Sequence, residues 1–92
     1  MKYLDLKNKV YLITGANGRI GYSLSKHLIN SGAKVIMIDI LTNKIKVFNK
    51  NKNCLIKKID ITKESNIKKI ISFGVKKLKK IDGIIHCAYP VT

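Results

Sequence analysis

Eight consecutive residues, Thr14-Gly15-Ala16-Asn17-Gly18-Arg19-Ile20-Gly21, carry three glycines at intervals of three. The chemistry of such a turn belongs to the bare backbone. Gly15 permits a tight turn, Gly18 lets the main chain come close to a pyrophosphate, and Gly21 lets a following helix pack near the preceding strand. The first N–H groups of that helix, Asn17 to Ile20 leading into it, and its positive dipole then favour an anion. Arg19 is the only arginine of the chain. Its guanidinium either reaches a phosphate or points to solvent. Asp39 lies eighteen residues beyond Gly21. A carboxylate there, at the end of a second strand, accepts hydrogen bonds from both adenosine ribose hydroxyls and repels a 2′-phosphate. No arginine follows it, and Lys44 stands several residues on. The pattern predicts a dinucleotide ligand, NAD in preference to NADP; the competing reading is a structural glycine turn in another α/β domain.

Strands and helices must bring these residues to one edge. Val10 to Thr14 is an apolar run that suits a strand buried on both faces. From Gly18 to Ser31, Ile20, Leu24 and Leu28 recur every fourth residue, and Gly32 follows where a helix needs a left-handed end. Lys34 to Asp39 and Leu55 to Asp60 read as a second and a third strand, each finishing on an aspartate. Between them the lysine-rich segment 41–53 predicts a short, poorly anchored helix near Ile45 and Phe48, followed by a loop. Lys63 to Lys80 is an amphipathic helix with Ile67, Ile70, Ile71, Val75 and Leu78 on one side, lysines on the other, and Thr62 placed to cap it. Gly83 to Ala88 completes the series as a fourth strand.

Alternation over such short connections predicts a parallel sheet with right-handed crossovers and helices on both faces, in the order 3-2-1-4. That is the first half of a Rossmann fold. His27 falls on the apolar side of the first helix and reads as a packing residue. His86 reads as a buried strand histidine, or as a residue lining the far end of the site. Cys87 reads as a small core residue without thiolate activation.

The chain has 92 residues, 46% of them hydrophobic and 26% charged, which is enough for one small domain and excludes a two-domain enzyme. Its net charge of +14 invites a nucleic-acid reading. The basic side chains, however, are lysines apart from Arg19, and no row of stacking aromatics accompanies them, so a solvated surface is the better account. Two cysteines, Cys54 and Cys87, suggest neither a disulfide framework nor a zinc site and suit a reducing cytoplasm. No apolar run reaches bilayer-spanning length, so no membrane contact is expected.

Thr14-Gly-x-x-Gly-x-x-Gly21, Asp39 and Asp60-Ile61-Thr62 together resemble the short-chain dehydrogenase/reductase superfamily, over essentially the whole chain. The resemblance implies that Asp60 and Ile61 sit beside the adenine ring and that Ala88, after the fourth strand, borders the cofactor. His86-Cys87-Ala88-Tyr89 departs from the Asn-Asn-Ala-Gly usual in that family. Leu6-Lys7-Asn8-Lys9-Val10 and the Gly32-Ala33-Lys34-Val35 turn look like the classical dehydrogenases, the type the chain resembles more, and Ala88-Tyr89-Pro90 resembles oxidoreductases of flagellin or surface-polysaccharide modification. The glycine spacing and His86-x-Ala88 look like the extended nucleotide-sugar epimerases and dehydratases.

In that superfamily hydride transfer relies on a tyrosine, a lysine four residues later and a serine. After the fourth strand the sequence holds no such set, and the Tyr3 and Lys7 pair precedes the first strand. No catalytic residue is therefore assigned. Residues 1–92 are expected to form one incomplete NAD(P)-binding domain, a truncated or split product or part of a longer enzyme, that binds NAD weakly without turnover. The alternative of another class is a non-catalytic nucleotide-binding module completed by a homo-oligomer or a complementing chain.

Overall fold

The computed structural model describes residues 5–87. Strand β1 (Val10–Thr14) leads into helix α1 (Arg19–Asn30), strand β2 (Lys34–Asp39), a 3-10 turn (Ile45–Phe48), strand β3 (Cys54–Lys58), helix α2 (Glu64–Leu78) and strand β4 (Gly83–His86). All pairings are parallel and the sheet order is β3-β2-β1-β4, as the alternation of elements predicts. The carboxyl ends of β1 and β2 lie side by side, with Thr14 opposite Ile38 and His86.

Successive residues of the central strands point to opposite faces, and each face meets one helix. Ile13, Val35 and Met37 pack with Leu28, Ile29 and Ala33 on the α1 side. Leu12, Ile36 and Ile38 pack with Ile70 on the α2 side, where Ile71, Phe73 and Leu78 add partly buried area. Gly74 brings α2 close to the sheet, since a Cβ there would lie 2.6 Å from Ile36 Cδ1. At the opposite end of the sheet from the glycine turn, Asp82 accepts the Val10 N–H at 2.8 Å and pairs with Lys80 at 3.1 Å. The Val10 hydrogen bond, helped by Lys80, holds the Asp82 carboxyl below the usual carboxylate range.

Several expectations need correction. β3 ends at Lys58, so Asp60 lies in the turn before α2 rather than on a strand end. Thr62 does not cap α2: the N-cap position is Lys63, which has no side-chain cap bond, and Thr62 one residue earlier has its hydroxyl turned to Asp60 Oδ1, to which it donates at 2.6 Å. The segment between β2 and β3 is well anchored, with Ile45 fully buried in the α1-side core. His27 is exposed, because the buried face of α1 is Gly21, Ser25, Leu28 and Ile29. His86 is exposed at the sheet edge rather than buried. Among the described residues no helix is long and apolar enough to cross a membrane.

Candidate functional site

The glycine turn closes on itself and on β2. Gly15 adopts φ +69°, the left-handed region that glycine enters without a Cβ penalty, and its carbonyl accepts the Gly18 N–H at 3.1 Å. Ala16 donates to the Ile38 carbonyl at 3.1 Å, pinning the turn to the end of the neighbouring strand. A Cβ on Gly21 would lie 2.1 Å from the Gly15 carbonyl oxygen, so this glycine is what lets α1 start against the turn. The helix opens with neither a side-chain cap nor an acidic residue in its first turn, and its first bond runs from Tyr22 N–H to the Gly18 carbonyl at 2.8 Å. The N–H groups of Arg19, Ile20 and Gly21 are thus left for a ligand. Arg19 and Ile20 are exposed beside them, Ile20 by 60%. Open donors at the head of a 12-residue helix fit a phosphate group.

Asp39 faces this turn from the end of β2. Its Oδ2 accepts the Asn17 N–H at 2.9 Å and its Oδ1 accepts the Leu41 N–H at 3.2 Å. Each oxygen keeps a lone pair for a further donor. The Asn17 side chain, only 8% exposed, accepts the N–H groups of Lys44 and Ile45 at 2.7 and 3.0 Å and donates to Asn43 Oδ1 at 2.8 Å. Sequence reasoning placed Asn17 in the turn but missed this clip, because no local pattern announces a bond across 28 positions.

Beyond β3, Asp60 Oδ1 accepts both the N–H and the hydroxyl of Thr62, which lowers the Asp60 pKa from its ordinary value. Asn66 Nδ2 donates to the Asp60 carbonyl at 3.0 Å, tying the turn to α2. Ile61 is half-buried against the α2-side core. Ile40 and Leu41, which the sequence reading left out, stand exposed just past Asp39 and add apolar surface to the same end of the sheet.

The remaining reactive groups do not form a catalytic set. His86 Nδ1 lies 3.0 Å from Thr14 Oγ1, linking the ends of β4 and β1. Burial pushes the Cys54 thiol up to about 11 and raises the Cys87 thiol as well, so neither is activated as a nucleophile. Tyr22 and Lys26 also have the four-residue spacing, which the sequence reading overlooked. The Tyr22 ring, however, packs 5.6 Å from Phe48 and lies under the Lys44 ammonium at 5.3 Å, while Lys26 is exposed, so the two do not act as a pair. Ala88 and Tyr3 fall outside the described residues.

The sequence pattern described as short chain dehydrogenase matches residues 9–89. The chain belongs to the short-chain dehydrogenase family. Post-translational flagellin modification protein A of Campylobacter coli is 32% identical over 92 residues, covering 94% of this chain and 36% of its own. Ipsdienol dehydrogenase of Ips pini is 31% identical over 85 residues, covering 92% and 33%. The chain therefore spans about a third of the length of the curated short-chain dehydrogenase relatives it matches. A short chain dehydrogenase from Leptospira borgpetersenii with bound NAD+ superposes with a TM-score of 0.81 at 29% identity, over 94% of this chain and 33% of that one. A 3-ketoacyl-(acyl-carrier-protein) reductase from Brucella melitensis complexed with NADH gives 0.78 at 30%, over 86% and 33%. Both of these short-chain dehydrogenase neighbours carry a nicotinamide dinucleotide.

Proposed function

We propose that residues 1–92 form one incomplete dinucleotide-binding domain, the NAD-binding portion of an oxidoreductase that passes a hydride between nicotinamide and a carbonyl or alcohol. The observation that carries this reading is the uncapped start of α1 facing the Asp39 carboxylate across the glycine turn. Gly15, Gly18 and Gly21 shape the backbone cradle for the pyrophosphate, and the N–H groups of Arg19 and Ile20 donate to it, with the Arg19 guanidinium available beside them. Asp39 receives the adenosine ribose hydroxyls, and Asp60 and Ile61 border the adenine ring together with Ala88. Asn17 holds the turn and the Asp39 carboxylate in place. When bound, the dinucleotide supplies or accepts the hydride. The described residues orient its adenosine half, and the proton-transferring groups belong to parts of a whole enzyme other than these residues. NAD is preferred to NADP because a fixed carboxylate at the ribose repels a 2′-phosphate. A reducing cytoplasm suits the two free cysteines.

A second reading rests on β4, whose outer edge has no strand partner among the described residues and exposes Ile84. A complementing chain or a second copy that adds a strand there would make this a non-catalytic binding module. Isothermal titration calorimetry of the purified protein with NAD+ and NADP+ tests the first reading. NAD+ should bind about tenfold more tightly, and Asp39→Ala should weaken NAD+ by about tenfold, the equivalent of one to two hydrogen bonds. Saturable binding of neither nucleotide would sink the proposal.

A further inference from the structure

Asn17 joins three parts of the candidate site through one residue. Its N–H donates to Asp39 Oδ2, its carboxamide nitrogen donates to Asn43, and its carboxamide oxygen accepts from the N–H groups of Lys44 and Ile45. Ile45 is itself sunk in the α1-side core, so the clip is fastened to a rigid base. Leu41 donates to the other oxygen of Asp39, which fixes the carboxylate from both sides. Lys44, the cation nearest Asp39 in the following sequence, is held by its backbone on Asn17 and by its ammonium over the Tyr22 ring of α1.

We propose that Asn17 is a positioning residue that sets the choice between an adenosine 2′-hydroxyl and a 2′-phosphate, acting through Asp39 and the 43–45 backbone. The inference rests on the nucleotide-binding reading above. A carboxylate held at both oxygens cannot swing away from an incoming 2′-phosphate. Lys44, five residues past Asp39, is tethered by its backbone and its ammonium and is not free to neutralise that phosphate. With the side-chain clip cut, the Asn17 N–H still donates to Asp39, but the 43–45 backbone is released, so the turn and the loop bearing Lys44 can shift relative to the carboxylate. Affinity for the 2′-hydroxyl form then drops, while affinity for the 2′-phosphate form drops less or rises.

Calorimetric titration of the purified protein with NAD+ and NADP+ measures this choice as a ratio of affinities. Asn17→Ala removes the three side-chain hydrogen bonds of the clip and should weaken NAD+ by about tenfold and lower the NAD+ to NADP+ preference by a similar factor. Asn17→Asp keeps an oxygen acceptor for Lys44 and Ile45, so although its added negative charge weakens both nucleotides, the NAD+ to NADP+ preference should fall by no more than about threefold. Asn43→Ala removes only an exposed partner and should lower the preference by about threefold. A merely structural role for Asn17 would weaken both nucleotides equally and leave the ratio unchanged, which overturns the proposal. If Asn17→Ala fails to fold, an unchanged ratio in Asn43→Ala overturns it alone. An unmodified protein that binds both nucleotides equally also overturns it, with nucleotide binding itself left standing. Binding of neither nucleotide removes the underlying reading and this inference together.

Discussion

Ser25 sits fully buried in α1 with no hydrogen-bond partner for its hydroxyl. A buried, unsatisfied hydroxyl carries its desolvation cost without return, and alanine is the better helix former. Ser25→Ala should therefore stabilise the protein by about 1 kcal/mol, read as a higher urea midpoint at unchanged slope. The same residue explains a gap in the sequence reading. Ile20, Leu24 and Leu28 step by four, and that spacing drifts around a helix of 3.6 residues per turn, so Ile20 ends up 60% exposed. The true contact face runs through Gly21 and Ser25, small residues chosen for close approach, and hydrophobic periodicity does not register them.

At the scale of elements, the strand-turn-helix unit was the most legible part of the chain. A glycine triplet, a buried run before it and an acid after the next strand are all local signals, and the strands Val10–Thr14 and Lys34–Asp39 fall where their apolar runs lie. Thr62 was misread because the helix starts one residue later, with Lys63 at the N-cap position, and the Thr62 side chain is turned back to the Asp60 carboxylate. The Asn17 clip was invisible because it depends on how a loop folds back in space. The glycines of the turn now separate by role. At Gly21 a Cβ would strike the Gly15 backbone at 2.1 and 2.8 Å, whereas at Gly18 its nearest neighbour is 3.4 Å away and φ is −76°. Gly21→Ala should cost about 3 kcal/mol or more, while Gly18→Ala should cost less than about 1 kcal/mol, as thermal unfolding would show.

Across the whole molecule the net charge of +14 is unbalanced, and five acidic residues face nineteen basic ones. Like charges at this density oppose compaction, and salt screens them. The thermal midpoint should rise by several degrees between about 20 mM and about 500 mM sodium chloride, where the Debye length shrinks well below 10 Å. A flat response would mean that the lysines are too far apart to repel one another in the folded chain. The parallel order β3-β2-β1-β4 also has a temporal side. Thr14 meets His86 across 72 positions, while Asn17 meets Ile45 across 28. Closing the longer loop costs more entropy and must wait for more of the polypeptide. On a ribosome, the glycine turn, Asp39 and the clip that joins them have all emerged by the time Ile45 is free. The glycine turn and the Asp39 side of the candidate site can thus take shape while β4, the outer neighbour of β1, is still being translated.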